Sequence, residues 1–331
     1  PAPEVTGRPA MFVFQDYDST QERNSFYLDL KQPYTNNAYA QCCNNQNKLA
    51  FSGDTLALTT AARLNDESGK GLIVTYLSGD GGATWSSFVV NSSLSMMDDS
   101  SFAPGTDNDA SAPSIAWSGS SFHLVWQEKR PDSIYLIRTS TLYGTVHTLD
   151  TVSCSGEGPL PVIGARLTNT VKVYYSTDSG IIERVSCDGG VSWPDTLKRE
   201  AAEDARLYDA LSQERYAGTS AISVRPSFTM GADHDVLVWQ EAVSDTGSVL
   251  FIRKKYGSTI DLYRLSDYSI DTLRNMRHPH VAVADQFIQL AWIGTKIENN
   301  YIDVTHHKTA HLLWHIQENQ WNLNVTNKSV I

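Results

Sequence analysis

Two stretches of the chain repeat one pattern. Residues 78–85 read Ser-Gly-Asp-Gly-Gly-Ala-Thr-Trp, and residues 186–193 read Ser-Cys-Asp-Gly-Gly-Val-Ser-Trp. The shared form is Ser-x-Asp-Gly-Gly-x-(Thr/Ser)-Trp, carried by Ser78, Asp80, Gly82 and Trp85 and again by Ser186, Asp188, Gly190 and Trp193. Each copy follows a β-prone run, Leu72-Ile-Val-Thr-Tyr76 and Ile181-Ile-Glu-Arg-Val185. Asp-Gly-Gly permits positive φ at successive residues, which a tight hairpin requires. The Asp carboxylate accepts backbone N–H groups inside such a turn, and the Trp packs beneath it. A chain that ends two distant strands in the same hairpin is built from repeated β units.

The repeats extend beyond the two turns. Pro113-Ser-Ile-Ala-Trp117 precedes Phe122-His-Leu-Val-Trp-Gln-Glu128. Pro226-Ser-Phe-Thr-Met230 precedes Val236-Leu-Val-Trp-Gln-Glu241, and Pro279-His-Val-Ala-Val283 precedes Phe287-Ile-Gln-Leu-Ala-Trp292. Each reads as a strand opened by Pro, a turn, and a second strand ending near Trp. A third strand follows at Ile134–Arg138, Val249–Arg253 and Tyr301–Thr305. The period is about 55 residues, which marks repeat architectures. It yields six units in one domain, at about 1–46, 47–105, 106–153, 154–216, 217–272 and 273–331. Trp321-Asn-Leu-Asn-Val325 is expected to supply a strand to the incomplete first unit and so close a ring with no open edge. Asp195 to Arg215 carries Leu197, Ala201, Ala205, Tyr208 and Leu211 at near-helical spacing. It reads as a helical insertion or, equally, as an irregular loop.

Composition agrees with strands and polar turns. Charged residues make up only 19% of the chain, while aromatic residues reach 10%. The formal net charge of −11 argues against a nucleic-acid partner. No apolar run is long enough for a membrane-spanning helix. The start, Pro1-Ala2-Pro3, reads as a mature or trimmed end. Cys42, Cys43, Cys154 and Cys187 contain no Cys-x-x-Cys pair, so cysteine-bound metal is not expected, and the sequence cannot pair them. Sequons at Asn91, Asn324 and Asn327 are compatible with secretion.

The paired Ser-x-Asp-Gly-Gly-x-(Thr/Ser)-Trp stretches resemble the Asp-box, or BNR, repeat of the sialidase-like β-propellers. That resemblance implies an all-β, six-bladed β-propeller of four-stranded antiparallel blades. The ring would be closed by the N- and C-terminal strands. It also implies that each box lies between the third and fourth strands of a blade, on the rim away from ligand, so that Asp80 and Asp188 are structural. Tyr143-Gly144 and Tyr256-Gly257 stand where two further boxes would be.

Ligand is then expected on the opposite rim. Loops there carry Arg63, Asp66, Glu128, Arg130, Glu241, Asp109, Glu214, Tyr216, Arg225, Arg277 and His278. A sialidase needs three Arg residues for the substrate carboxylate, because bidentate Arg bonding selects the anion. It also uses an Asp acid/base and a Tyr nucleophile with a Glu partner, an exception to the two-carboxylate rule. The resemblance nominates Asp66 or Asp109 as acid/base, Glu214 and Tyr216 as the nucleophile pair, and Arg225 and Arg277 on the anion. Arg130, Glu128, Glu241 and His278 are further ligand-binding candidates. The family's N-terminal Arg motif is absent, since the text reads Thr6-Gly7-Arg8-Pro9. Glu128 and Glu241 recur after Trp in equivalent units, which favours a role within each unit.

Two stretches resemble metal sites. His307, His311 and His315 have the spacing of a helical zinc face, but the local text reads better as a hairpin of two strands. Asp107-Asn108-Asp109 resembles part of a calcium loop without its Gly or distant Glu, so the sequence points to no cofactor beyond a structural Ca²⁺ and to no metal ligand. The resulting expectation is a secreted or cell-surface module that binds glycan or an extracellular protein without catalysis. The alternatives are a sialidase-like glycoside hydrolase and a structural subunit of an extracellular assembly.

Overall fold

Runs rich in Val, Ile, Leu, Thr and Tyr, separated by Gly, Asn and Ser turns, form strands throughout the computed structural model. It describes residues 14–18, 23–27, 38–41, 49–64, 71–90, 109–155, 158–195, 199–200, 223–231, 233–244, 247–264, 273–284, 287–298, 301–315 and 320–324. Every sheet is antiparallel. A two-stranded sheet pairs β1 (Phe14–Asp18) with β2 (Arg23–Tyr27). The next holds β3 (Ala38–Gln41) and β4 (Leu49–Ser52), both paired to β5 (Thr55–Leu64), then β6 (Gly71–Ser78) and β7 (Ser86–Val89).

Four sheets of four strands follow in chain order. The first contains β8 (Asp109–Trp117), β9 (Phe122–Lys129), β10 (Tyr135–Thr141) and β11 (His147–Val152). The second contains β12 (Val162–Ala165), β13 (Val171–Thr177), β14 (Gly180–Ser186) and β15 (Arg199–Glu200). The third contains β16 (Ser223–Met230), β17 (His234–Ser244), β18 (Gly247–Tyr256) and β19 (Thr259–Arg264). The fourth contains β20 (Leu273–Ala284), β21 (Phe287–Glu298), β22 (Tyr301–His315) and β23 (Gln320–Asn324).

Successive sheets pack face to face. Ala57, Ala61 and Ile73 meet Ile115, Phe122, Leu124 and Trp126. On the other face of that second sheet, Val125, Ile137 and Leu149 meet Ile163, Val171, Val173 and Tyr175. One seam further on, Val162, Tyr174 and Ile181 meet Phe228, Leu237, Trp239 and Phe251. Residues 122–128 of β9 are therefore buried throughout, because alternate side chains enter two different cores. This explains why the strand text is continuously apolar rather than alternating.

Polar groups stitch the seams. Ile163 N–H donates to Ser114 Oγ at 3.2 Å, and two repeats later Val281 N–H donates to Ser227 Oγ at 3.1 Å. Both serines directly follow the proline of their first strand. The seam between β13–β14 and β17–β18 is ionic instead. Arg166 Nη2 lies 2.6 Å from Asp235, Lys172 binds both Asp235 and Glu183, and Arg253 lies 3.7 Å from Glu183. Tyr174 donates to the same Glu183 at 2.5 Å. Each buried carboxylate there has a cationic partner, as buried charge requires.

Three local expectations are corrected. β23 pairs with β22 and completes its own sheet, rather than joining the first unit. Within the expected helical insertion, Arg199–Glu200 is a strand paired with β14, and residues 201–222 lie outside the described residues. β22 is one strand along β21, with a register jump between Thr295 and Ile297 that passes over residues 303–306, so His306, His307, His311 and His315 lie on one strand, neither a helix nor a two-strand hairpin. Residues 311–315 pair on both sides, with β21 and with β23, which satisfies more backbone groups than a break there would leave.

Candidate functional site

The two Gly-rich turns are closed by their own hydrogen bonds. Ser78 Oγ donates to Asp80 Oδ1 at 2.8 Å and accepts Gly82 N–H at 2.7 Å. Asp80 accepts Thr84 N–H at 2.8 Å and the Thr84 hydroxyl at 2.6 Å, and Trp85 Nε1 donates to Gly82 O at 3.0 Å. The second turn repeats each bond with Ser186, Asp188, Gly190, Ser192 and Trp193. These donors hold both exposed carboxyls at about 2, against 3.8 ordinarily. Gly81 N–H bonds Asp54 O at 2.8 Å and Gly189 N–H bonds Asn169 O at 2.7 Å. The first turn thus abuts the β4–β5 hairpin and the second the β12–β13 hairpin, each within its own sheet. His123 packs against Gly190, donating to or accepting from Ser118 at 2.9 Å, and burial lowers its pKa to about 4.

The opposite rim carries the β9–β10 loop and the connections between sheets. Near it, four first strands share one unusual feature. Ala112, Leu160, Arg225 and His278 each precede a proline and each have positive φ, at 52°, 48°, 57° and 51°. A left-handed conformation is uncommon without glycine and costs on the order of 1–3 kcal/mol. Ladder irregularities fall at three of these corners: between Ser111 and Ser114, between Val224 and Ser227, and between Arg274 and His280. A bulge of this kind turns a side chain out of the regular alternation. Sequence reasoning placed Arg225, Arg277 and His278 in loops between units. They lie inside β16 and β20, because bulged strand text reads like a loop.

Two of the corners converge across a seam. Arg225 Nη1 lies 2.7 Å from His278 Nε2 and also contacts Nδ1. Both side chains are half-buried. A third corner is held by a side-chain clamp. Gln127 Oε1 accepts Leu160 N–H at 2.7 Å, while its Nε2 donates to Ser111 Oγ at 3.1 Å.

The remaining candidates divide as follows. Glu128, 0% exposed, accepts the Trp126 indole N–H at 3.0 Å and lies 3.4 Å from Arg138 Nε. Glu241 accepts the Trp239 indole at 2.7 Å. Both are spent inside their own sheets, which corrects their assignment to ligand. Where β21 has Gly294 at the corresponding place, the buried indole N–H of Trp292 has no partner among the described residues. Asp109 starts β8 on the candidate rim, and its carboxylate accepts Gly71 N–H at 2.8 Å. Arg130 pairs with Asp132 at 3.1 Å, both well exposed. Arg277 has only its backbone placed, opposite Ile293. Asp66, Glu214, Tyr216, Asp107 and Asn108 lie outside the described residues, as does Arg8. Among the described residues there is no group of three or more His, Cys, Asp or Glu side chains able to hold a metal, and Cys154 and Cys187 are unpaired thiols. The corners and the Gln127 clamp were missed from sequence, although the recurring x-Pro dipeptide marks every one of them.

No family model matches the sequence, and no curated protein matches it. Among solved structures, the fold is similar to that of the GH93 α-L-arabinofuranosidase of Fusarium graminearum, in a complex with arabinobiose. The identity is 12% and the TM-score 0.52, over 86% of this chain and 82% of that one. An α-L-arabinofuranosidase from Lactobacillus brevis matches at 8% identity and TM-score 0.47, over 87% and 96%. A neuraminidase-like protein of A/flat-faced bat/Peru matches at 8% identity and TM-score 0.41, over 65% and 51%. The chain spans little more than half the length (51–58%) of the neuraminidase-like proteins and of a Bacillus halodurans xylosidase. The neighbours are β-propellers, and the successive four-stranded antiparallel sheets belong to that fold.

Proposed function

We propose that this chain is a six-bladed β-propeller of the Asp-box, sialidase-like kind, closed by packing its first and last sheets. In this reading it is a secreted or cell-surface module that binds an anionic glycan without cleaving it. The site lies on the rim opposite the Ser-x-Asp-Gly-Gly turns, at the corners of the first strands. One observation carries the reading: Arg225 and His278, from different sheets, are turned toward each other by strained pre-proline corners. Backbone strain clusters at ligand sites, and of the four corners only those of Arg225 and His278 carry polar side chains. A guanidinium beside an imidazole presents several N–H donors to a carboxylate. Arg130 stands in the β9–β10 loop of that rim, paired with Asp132. Glu128 and Glu241 are not assigned to ligand, since both are spent on tryptophan indoles.

A second reading, an exo-acting glycoside hydrolase, is favoured by Asp109 at the same rim and by the fold shared with an arabinofuranosidase. In that case Asp66 or Asp109 is the acid/base and Glu214 with Tyr216 the nucleophile pair. A glycan array tests the first reading. Binding to carboxylated glycans, lost in Arg225→Ala, supports it, whereas an empty array removes it. Turnover of a fluorogenic glycoside that disappears in Asp109→Asn or Tyr216→Phe replaces it with the second. A structural subunit of an extracellular assembly is the remaining alternative, and stable self-association with no glycan binding marks it.

A further inference from the structure

The seams between sheets allow an internal comparison. Position for position, the second-strand residue that faces the next corner is Gln127 in β9, Ser176 in β13 and Gln240 in β17. The register fixes this: Ser114 pairs Val125, Val162 pairs Tyr174 and Ser227 pairs Val238. Gln127 spends its whole amide. It accepts the corner N–H of Leu160 and donates to Ser111, the residue across the ladder. Ser176 and Gln240 do not. Ser176 Oγ and Gln240 Oε1 are both shut off from solvent, and neither has a hydrogen-bond partner among the described residues. Such groups are rare in folded proteins, and each one needs a reason.

The two unspent positions stand before the corners of Arg225 and His278. The spent one stands before Leu160, whose side chain is buried and offers no polar chemistry. Gln240 pairs across the ladder with Val224, which has no hydroxyl where Ser111 has one, and the Arg225–Pro226 bulge begins at the next residue. The side chain of Gln240 as a whole is only half-buried. Its terminal torsion is soft and broad, so a half-turn exchanges oxygen and nitrogen without moving the main chain. The amide thus lies across the ladder from the residue before Arg225, and its oxygen has no hydrogen-bond partner among the described residues.

We infer that Gln240 is a ligand-reading residue of the Arg225–His278 site, and that it bonds a hydroxyl of the bound anion. This rests on the anionic-glycan reading above and narrows it. The ligand class is a hydroxylated carboxylate, such as a uronic acid, with its carboxylate on Arg225 and His278 and a neighbouring hydroxyl on the Gln240 amide. A simple carboxylate satisfies only the basic pair. A neutral sugar satisfies only the amide.

Calorimetric titration of the whole chain with D-glucuronate and with acetate tests this. The wild type should bind glucuronate about tenfold or more tightly than acetate, the size of one buried hydrogen bond. Gln240→Met should bring that ratio to within about twofold while leaving acetate binding unchanged. Its melting temperature should equal or exceed that of the wild type, because an unpaired buried acceptor is removed. Gln127→Met should melt several degrees lower, because its acceptor is in use. A Gln240→Met protein that keeps the full preference for glucuronate overturns the inference, even where Arg225→Ala abolishes binding of both anions and upholds the site. Failure of the wild type to bind either anion, or binding unaffected by Arg225→Ala, overturns both.

Discussion

Arg225 Nη1 lies 2.7 Å from His278 Nε2, joining the corner of one first strand to the corner of the next. Both residues pay for that meeting in backbone strain, with φ of 57° and 51° ahead of a proline. Glycine adopts this conformation without penalty. Arg225→Gly should therefore leave the melting temperature unchanged or raise it, although glycine also adds freedom to the unfolded chain. The same variant should lose binding to carboxylated glycans. Thermal unfolding with parallel glycan titration measures both, and a large drop in melting temperature would show that the corner serves stability instead.

Ser114→Ala and Ser227→Ala should be destabilising out of proportion to their size. Each removes the acceptor of a buried backbone N–H in the adjacent sheet, from Ile163 or Val281. Leaving such a donor unsatisfied costs about 1–3 kcal/mol. Urea unfolding should show a lower midpoint for each. The double variant should lose close to the sum, since the two contacts are in separate seams.

Gly71→Ala should disturb one edge of the candidate rim. A Cβ there would sit 1.9 Å from Ala110 O and 2.7 Å from the Asp109 carboxylate. Backbone must move to admit it, at about 1–3 kcal/mol, and Asp109 loses its Gly71 N–H. Chemical denaturation checks the stability loss. If Asp109 is catalytic, turnover falls with it.

Acid should weaken the protein in two stages. His123 titrates near 4 when folded, against 6.5 ordinarily, so between these values the unfolded chain binds more protons. The stability this provides is complete above pH 6.5 and is lost as pH falls toward 4, by about 3 kcal/mol in all. Asp80 and Asp188 titrate near 2 instead of 3.8. Their contribution is complete above 3.8 and lost as pH falls toward 2. His123→Gln should flatten the upper stage and spare the lower one. Stability measured by denaturant unfolding between pH 3 and 7 separates them.

Much of the fold was legible because its signals are local. The Asp-Gly-Gly turns ended the right strands, and the Trp-Gln-Glu text of 126–128 and 239–241 marked equivalent second strands. The readings that failed depended on partners far away in sequence. Trp321–Val325 has the pattern of a strand, but pattern alone does not choose a neighbour, and β23 took β22. Glu128 and Glu241 look like rim acids until the indoles of Trp126 and Trp239 are seen to hold them. Asp66, Glu214 and Tyr216 lie outside the described residues, so their nomination stands as the sequence left it.

The sequence by itself determined the class of secondary structure, the period and the rim on which the Asp-Gly-Gly turns lie. These follow from backbone preferences and from hydrogen bonds spanning a few residues. Only the tertiary structure decided that Arg225 meets His278, that Gln127 pins the Leu160 corner and that Gln240 does not pin its counterpart. The physical reason is that the left-handed corners are set by packing between sheets. A proline in the text announces a bend, while the direction in which the preceding side chain is thrown depends on the adjacent sheet.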